Sequence, residues 1–185
     1  MMEPVELPVP KTDEEIAAIK DSKKNWACIG HELDYANRAW IQPGNWSTVV
    51  WQKVNETAAA MYESWKKETM VEEYKTEDAE IILTAYGICG RIAKSAVNLL
   101  RAEGIKAGLV RPITVYPFPY EAYDRLDYSK VKAILDVEMS IPALFVEDVQ
   151  AAVKGRTPIE TCLCSGGNIM SREAVIKAAK KIMEG

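Results

Sequence analysis

Residues 109–119 read Leu-Val-Arg-Pro-Ile-Thr-Val-Tyr-Pro-Phe-Pro, and this run fixes where one element stops and the next begins. Pro112 pushes Arg111 toward extended geometry, while Pro117 and Pro119 set two further φ angles and remove two backbone donors. The run therefore predicts a strand over 106–110 that ends at Arg111, followed by a helix over 120–126. In a wound α/β sheet, ligands and partner subunits meet the ends of the strands, so Arg111 stands where a guanidinium can be aimed at something.

The same alternation continues on both sides. Ile81, Ile82 and Leu83 make 80–85 a buried strand, and 87–104 reads as a helix with Ile92, Ala96, Leu99 and Leu100 inward and Gly104 as terminator. A strand over 131–137, a helix over 142–154 ended by Gly155, a strand over 158–164 and a helix over 171–183 follow. Phe145, Val149, Ala152 and Val153 form the inward stripe of the 142–154 helix. This order predicts a three-layer α/β domain over 76–185 with a wound, mostly parallel sheet.

Upstream, Val50, Val54, Ala58, Met61 and Trp65 recur at spacings of three and four and predict one amphipathic helix over 48–75, capped by Ser47 or Thr48. Residues 1–47 place Pro4, Pro8, Pro10, Gly30, Pro43 and Gly44 irregularly and read as an arm or linker, with a short polar helix over 13–20. Trp26, Trp40 and Trp46 in that arm call for a surface to pack against.

With 48% apolar residues over a length of 185, a core can be buried without disulfides or metal. The net charge of −4 is spread along the chain, which argues against nucleic acid and against a polybasic membrane patch. No apolar run reaches the roughly 20 residues of a membrane span and no signal peptide stands at Met1-Met2-Glu3-Pro4, so a cytoplasmic location is expected.

Cys28, Cys89, Cys162 and Cys164 show neither CxxC nor a ferredoxin-like run, so metal or cluster ligation by this chain alone is not expected. Cys162 and Cys164 alternate on a strand and read as packing residues on one face. His31, the single histidine, lies in an irregular segment without an evident nucleophile and reads as an ordinary surface or packed residue.

Gly87-Ile88-Cys89-Gly90-Arg91 follows the first buried strand with two glycines and a helix N-terminus. Such a turn either holds an anion or serves as a tight strand-to-helix connection; GxGxxG and the Walker lysine are both missing. Arg91 and Arg111, at neighbouring strand ends, either converge on one carboxylate or phosphate or pair with a nearby acid such as Glu138. Gly87, Gly90, Arg91 and Arg111 are the candidate cofactor-binding residues; no catalytic and no metal-ligating residue is assigned.

Five pieces in order resemble one family: Thr84-Ala85-Tyr86-Gly87, Ala93-Lys94-Ser95-Ala96-Val97, Leu109-Val110-Arg111-Pro112-Ile113 with Pro117-Phe118-Pro119, Val137-Glu138-Met139, and Glu147-Asp148-Val149. Together they resemble the C-terminal, transketolase-C-like domain of the alpha subunit of 2-oxoacid:ferredoxin oxidoreductases. Glu3-Pro4-Val5-Glu6-Leu7-Pro8 and Trp26-Ala27 resemble the 3-methyl-2-oxobutanoate (2-ketoisovalerate) variant. The resemblance implies a longer alpha subunit in which a pyrimidine-binding thiamine diphosphate domain precedes this segment.

It further implies a complex that oxidatively decarboxylates a 2-oxoacid to an acyl-CoA. Thiamine diphosphate, Mg and iron–sulfur clusters are expected in the complete complex and none on this chain alone. Thiamine-binding and iron–sulfur subunits are the expected partners, with ferredoxin and coenzyme A at the level of the complex. By resemblance, this domain is a structural and interface element rather than a catalytic one. Ile141-Pro142-Ala143-Leu144 departs from the family, where many members have Gly-Gln. Two alternatives stand beside this reading: an autonomous module for an anion or small ligand, and the equivalent domain of transketolase or a dehydrogenase E1 beta chain.

Overall fold

A computed structural model describes residues 8–23 and 47–184. His31, Cys28 and the tryptophans at 26, 40 and 46 lie outside the described residues. The chain divides into two compact units, Met1–Thr57 and Ala58–Gly185.

In the first unit, helix α1 spans Asp13–Lys23, one turn longer than the predicted 13–20. Its start is a reciprocal cap: the Glu15 N–H donates to Thr12 Oγ1 at 3.2 Å and the Thr12 N–H donates to Glu15 Oε2 at 2.8 Å. Helix α2, Thr48–Trp65, begins where Ser47 caps it: the Trp51 N–H donates to the Ser47 carbonyl and the Val50 N–H reaches Ser47 Oγ.

The predicted helix over 48–75 is too long. After Trp65 a 3-10 turn, Lys66–Glu68, gives way to extended backbone at Thr69, whose hydroxyl donates to the Lys66 carbonyl at 2.8 Å. Val71–Tyr74 then forms strand β1. The chain leaves the helix because β1 finds a partner about forty residues ahead, which outweighs local helical propensity. The apolar stripe of α2 is not a buried packing face: none of its residues is buried among the described residues.

The second unit carries β2 (Ile81–Thr84), α3 (Gly87–Ala102), β3 (Ala107–Pro112), α4 (Tyr120–Asp124), β4 (Ala133–Glu138), α5 (Phe145–Val153), β5 (Ile159–Leu163) and α6 (Arg172–Glu184). These lie within a few residues of the elements the sequence predicts. The strand order is β1-β3-β2-β4-β5; β2, β3, β4 and β5 run parallel, and β1 lies antiparallel on β3 with Glu72 opposite Arg111. Arg111 is therefore a strand residue and not the point at which the strand stops, because β1 extends the ladder to Pro112. The sheet is the mostly parallel wound sheet expected, with one antiparallel edge.

The sheet is packed on both faces. Ile81, Leu83, Leu109, Leu135 and Val137 meet Ala93, Ala96, Val97 and Leu100 of α3 and Val175 and Ala179 of α6. Ile82, Val110 and Ile134 meet Ala122 and Tyr123 of α4 and Phe145, Val149 and Val153 of α5. All of β2 and β4 is buried, as parallel strands covered on both faces must be.

Two local features fix the frame. Arg101, near the end of α3, donates to the Ala107 carbonyl at 2.6 Å, to the Lys75 carbonyl at 2.8 Å and to Asp78 at 2.6 Å, binding the β1–β2 turn to the start of β3. Gly108 allows that turn to approach: a Cβ there would stand 2.7 Å from the Lys75 carbonyl oxygen and 3.0 Å from Ile82 Cδ1. Gly108→Ala is expected to cost about 1–3 kcal/mol by overpacking against backbone, read as a lower urea midpoint; an unchanged midpoint would show that the turn yields freely.

Candidate functional site at the carboxyl edge of the sheet

Because β2, β3, β4 and β5 are parallel, the segments that follow them gather along one edge, joined there by Met70 at the start of the antiparallel β1. The edge is apolar. Tyr86 and Ile88 follow β2, Ile113, Val115, Tyr116 and Tyr120 follow β3, Met139, Ile141 and Leu144 follow β4, and Ile169 follows β5, all exposed. Ile141, Leu144 and Ile169 are 62%, 63% and 73% exposed. From Met70 onward among the described residues, Leu99 is the one exposed large hydrophobic that lies elsewhere.

Beneath this rim runs a row of aromatic rings. Phe145 lies 5.0 Å from Tyr86 and 6.0 Å from Phe118, and Phe118 stacks on Tyr123 at 5.6 Å. Tyr123 is buried and its hydroxyl meets Thr84 Oγ1 at 2.6 Å, while Thr84 donates to the Val110 carbonyl. Burial raises the Tyr123 phenol well above its ordinary value. The Tyr116–Pro117 and Ile141–Pro142 peptide bonds are cis. A groove of about 760 Å³ opens beside the rim, between Tyr62 and Lys66 on one side and Tyr116, Pro117 and Arg125 on the other.

The four candidate residues separate into a pair and two others. Gly87 takes a left-handed φ of 55° at the start of α3, as a tight strand-to-helix turn requires. Gly90 and Arg111 are packed together: a Cβ on Gly90 would stand 2.8 Å from Arg111 Cδ and Nε. Arg111 Nη1 donates to Glu72 Oε2 at 3.1 Å, and Lys94 Nζ lies 2.6 Å from the other oxygen of the same carboxylate. Burial pushes the Glu72 carboxyl up, but the two cations outweigh it and hold the carboxyl below its usual range. Arg91 is exposed on α3. Arg111 thus pairs with an acid, as one of the two readings expects, but the acid is Glu72 rather than Glu138, because β1 places Glu72 directly opposite it.

Glu138 has a different role. It is buried at the end of β4 and accepts from the N–H groups of Leu144 and Phe145 at 3.0–3.1 Å and from the Ser140 hydroxyl. Burial raises its carboxyl, and the Ser140, Leu144 and Phe145 donors more than offset that, holding it below the ordinary value. These bonds fold residues 139–144 back onto the start of α5 and so place Ile141 and Leu144 in the rim. Asp136, two residues earlier on the same face, has no exposed surface and no donor on either oxygen. Burial, with Glu138 adding to it, pushes Asp136 up to about 8. The alternation Asp136-Val137-Glu138 on a buried strand was the available signal for this pair.

Cys162 and Cys164 are half-buried, against Met170 and the Asn168 carbonyl respectively, and burial is the main cause that pushes the Cys89 thiol up to about 11. Among the described residues no group of three or more His, Cys, Asp or Glu is arranged to hold a metal ion. No described helix is long and apolar enough to cross a membrane.

Glu138→Gln is expected to cost about 1–3 kcal/mol, because a charge-assisted acceptor for three donors becomes a neutral one. Urea unfolding at neutral pH checks it; equal stability would mean that the loop is held by its apolar contacts alone.

Residues 79–175 match the family described as pyruvate:ferredoxin oxidoreductase core domain II. The chain is 41% identical over 129 residues to ketoisovalerate oxidoreductase subunit VorB of Methanothermobacter marburgensis, covering 70% of this chain and 35% of that protein. It is 33% identical over 112 residues to 2-oxoglutarate synthase subunit KorA of Methanothermobacter thermautotrophicus, covering 60% and 29%. The chain thus spans about a third of the length of the curated relatives it matches.

Among solved structures, it superposes on 2-oxoglutarate:ferredoxin oxidoreductase from Magnetococcus marinus, determined with 2-oxoglutarate, coenzyme A and succinyl-CoA bound, with a TM-score of 0.63 at 16% identity, covering 82% of this chain and 28% of that one. A split-gene transketolase, an inactive beta4 tetramer, superposes with a TM-score of 0.53 at 19% identity, covering 62% and 41%. At such identities the two superpositions establish the fold, which the 2-oxoacid:ferredoxin oxidoreductases and transketolases share. The family match and the alignments over more than half of the chain go further: the chain belongs to the pyruvate:ferredoxin oxidoreductase core domain II family and is a relative of 2-oxoacid:ferredoxin oxidoreductase subunits.

Proposed function

We propose that this chain serves as the structural and interface domain of a thiamine-diphosphate-dependent 2-oxoacid:ferredoxin oxidoreductase, in the cytoplasm. The complex oxidatively decarboxylates a 2-oxoacid to an acyl-CoA, with ferredoxin as electron acceptor. Similarity to ketoisovalerate oxidoreductase subunits favours 3-methyl-2-oxobutanoate as the substrate. The observation that carries the reading is the gathering of exposed apolar side chains at the carboxyl edge of the sheet, the surface at which α/β sheets meet ligands and partner domains.

The described residues do not by themselves offer a site for the cofactors of such a complex. Mg bound with thiamine diphosphate is held by the diphosphate oxygens with one or two carboxylates, and a cluster needs several convergent thiolates. Among the described residues no group of three or more His, Cys, Asp or Glu is arranged to hold a metal ion or cluster. Arg111, the residue best placed to receive an anion, is committed to Glu72. In this reading thiamine diphosphate, Mg and iron–sulfur clusters sit on companion subunits or on the remainder of a longer alpha subunit, and this domain braces them. No 2-oxoacid turnover is expected from the chain alone; turnover without companions would contradict the reading.

Assembly supplies the second test. Co-expressed with the thiamine-binding and iron–sulfur subunits, the chain should co-purify with them. Leu144→Asp, which puts a charge on an exposed rim position, should reduce recovery about tenfold or more while leaving urea unfolding of the chain unchanged. Full recovery of the complex carrying Ile141→Asp and Leu144→Asp together would place the interface elsewhere.

A further inference from the structure

Asp136 and Glu138 project from the same face of β4 into the layer formed by α4 and α5. Both are buried, but their surroundings differ. Glu138 faces three donors, those of Ser140, Leu144 and Phe145. Asp136 faces none, and neither of its oxygens has a hydrogen-bond partner. Two ionised carboxylates have nothing to donate to each other, and a fully buried charge without a donor is among the costliest arrangements a core can hold. A single proton removes the conflict, since a carboxylic acid at 136 becomes the donor that Glu138 can accept.

The groups around the pair reinforce this assignment. Across the sheet in register, Asp136 has Thr84 on β2 and Thr161 on β5, neither of which carries charge. The ionisable groups within reach of its charge are Glu138 on its own strand, Tyr123 on α4, Cys89 on α3 and Cys162 on β5. On α5, Glu147 and Asp148 occupy the first turn, and they too are acidic. No cation stands among these groups, so ionisation of Asp136 adds one negative charge to a set that can only repel it.

We propose that a protonated Asp136 donates to the Glu138 carboxylate and that this hydrogen bond is a pH-sensitive latch, holding residues 139–144 against the start of α5 while the proton is present and releasing them when it leaves. The mechanism is a single proton exchange with water. On loss of the proton the Asp136–Glu138 hydrogen bond breaks and two carboxylates face each other. Glu138 then turns away from the Leu144 and Phe145 N–H groups, and Ile141 and Leu144 lose their fixed place in the rim. The latch is a property of this chain by itself and goes beyond the assignment to an oxidoreductase complex, so either can fail without the other.

The sign of the pH dependence follows from where the proton is held. The folded state keeps a proton that the unfolded chain releases near the ordinary carboxyl value of 3.8, and it holds that proton up to about 8. Stability from this group is greatest at acid pH, declines as the pH climbs through that window and is flat beyond it. The loop remains latched below about 8 and opens above.

Two measurements on the full chain test the proposal. The carboxyl-carbon NMR shift of Asp136 should titrate with a midpoint above 7, whereas a midpoint below 5 would overturn the latch without need of any variant. Hydrogen-exchange protection of the Leu144 and Phe145 amides, corrected for the intrinsic rate, should fall about tenfold or more between pH 6 and pH 9. In Asp136→Asn, where an amide donates to Glu138 and cannot titrate, protection should change less than about twofold over the same range. Parallel loss of protection in both proteins would overturn the proposal.

Discussion

Everything at the working edge of this domain depends on β4, a strand buried along its whole length that must nonetheless carry two carboxyl groups. Leu135 and Val137 seal one face of the sheet and Ile134 the other, so the strand cannot shift to bring Asp136 or Glu138 to water. The cost is offset at one end by donors: Glu138 captures the Ser140 hydroxyl and two backbone N–H groups at the start of α5. That capture shapes the loop in which Ile141 and Leu144 stand exposed. The polar interior and the apolar rim are in this sense one arrangement, with buried acids inside holding greasy side chains outside.

The other side of the sheet is fixed by cations. Arg101 ties the β1–β2 turn to β3, and Arg111 with Lys94 neutralises Glu72 on the antiparallel edge strand. Exposed ion pairs contribute little each, but these three cations are largely covered and their partners lie on different elements. They serve as braces. An arginine at a strand end invites a functional reading, and here its electrostatic demand is already met within the fold. What remains exposed at the edge is apolar surface, which fits a protein partner better than a small anion.

Much of this was legible from the chain. Continuous apolar runs such as Ile81–Leu83 announce buried parallel strands, the Ile92, Ala96, Leu99 and Leu100 spacing announces α3, although Leu99 turns out exposed on it, and the glycine at 87 marks a turn that takes a positive φ. What the local sequence does not carry is contact over long sequence separation. Val71-Glu72-Glu73-Tyr74 has no strand-like alternation and becomes β1 only because β3 accepts it, which ends the helix at Trp65, short of the expected 75, and gives Arg111 the acid Glu72 in place of one such as Glu138. The α2 stripe has the periodicity of a packing face, but periodicity cannot say whether anything covers it. Asp136 gives no sign of its place from sequence alone, because only the pairing of β4 with β2 and β5 puts that acid in the core.

On the proposed reading, the carboxyl edge of the sheet is the surface that companion subunits cover. Hydrogen–deuterium exchange of the chain, alone and with companion thiamine-binding and iron–sulfur subunits, tests it most directly. Assembly should protect residues 86–88, 113–120, 139–144 and 165–169 and leave the outer faces of α3 and α6 unchanged. Protection confined to α3 and α6, with the edge segments exchanging as freely as in the isolated chain, would contradict it.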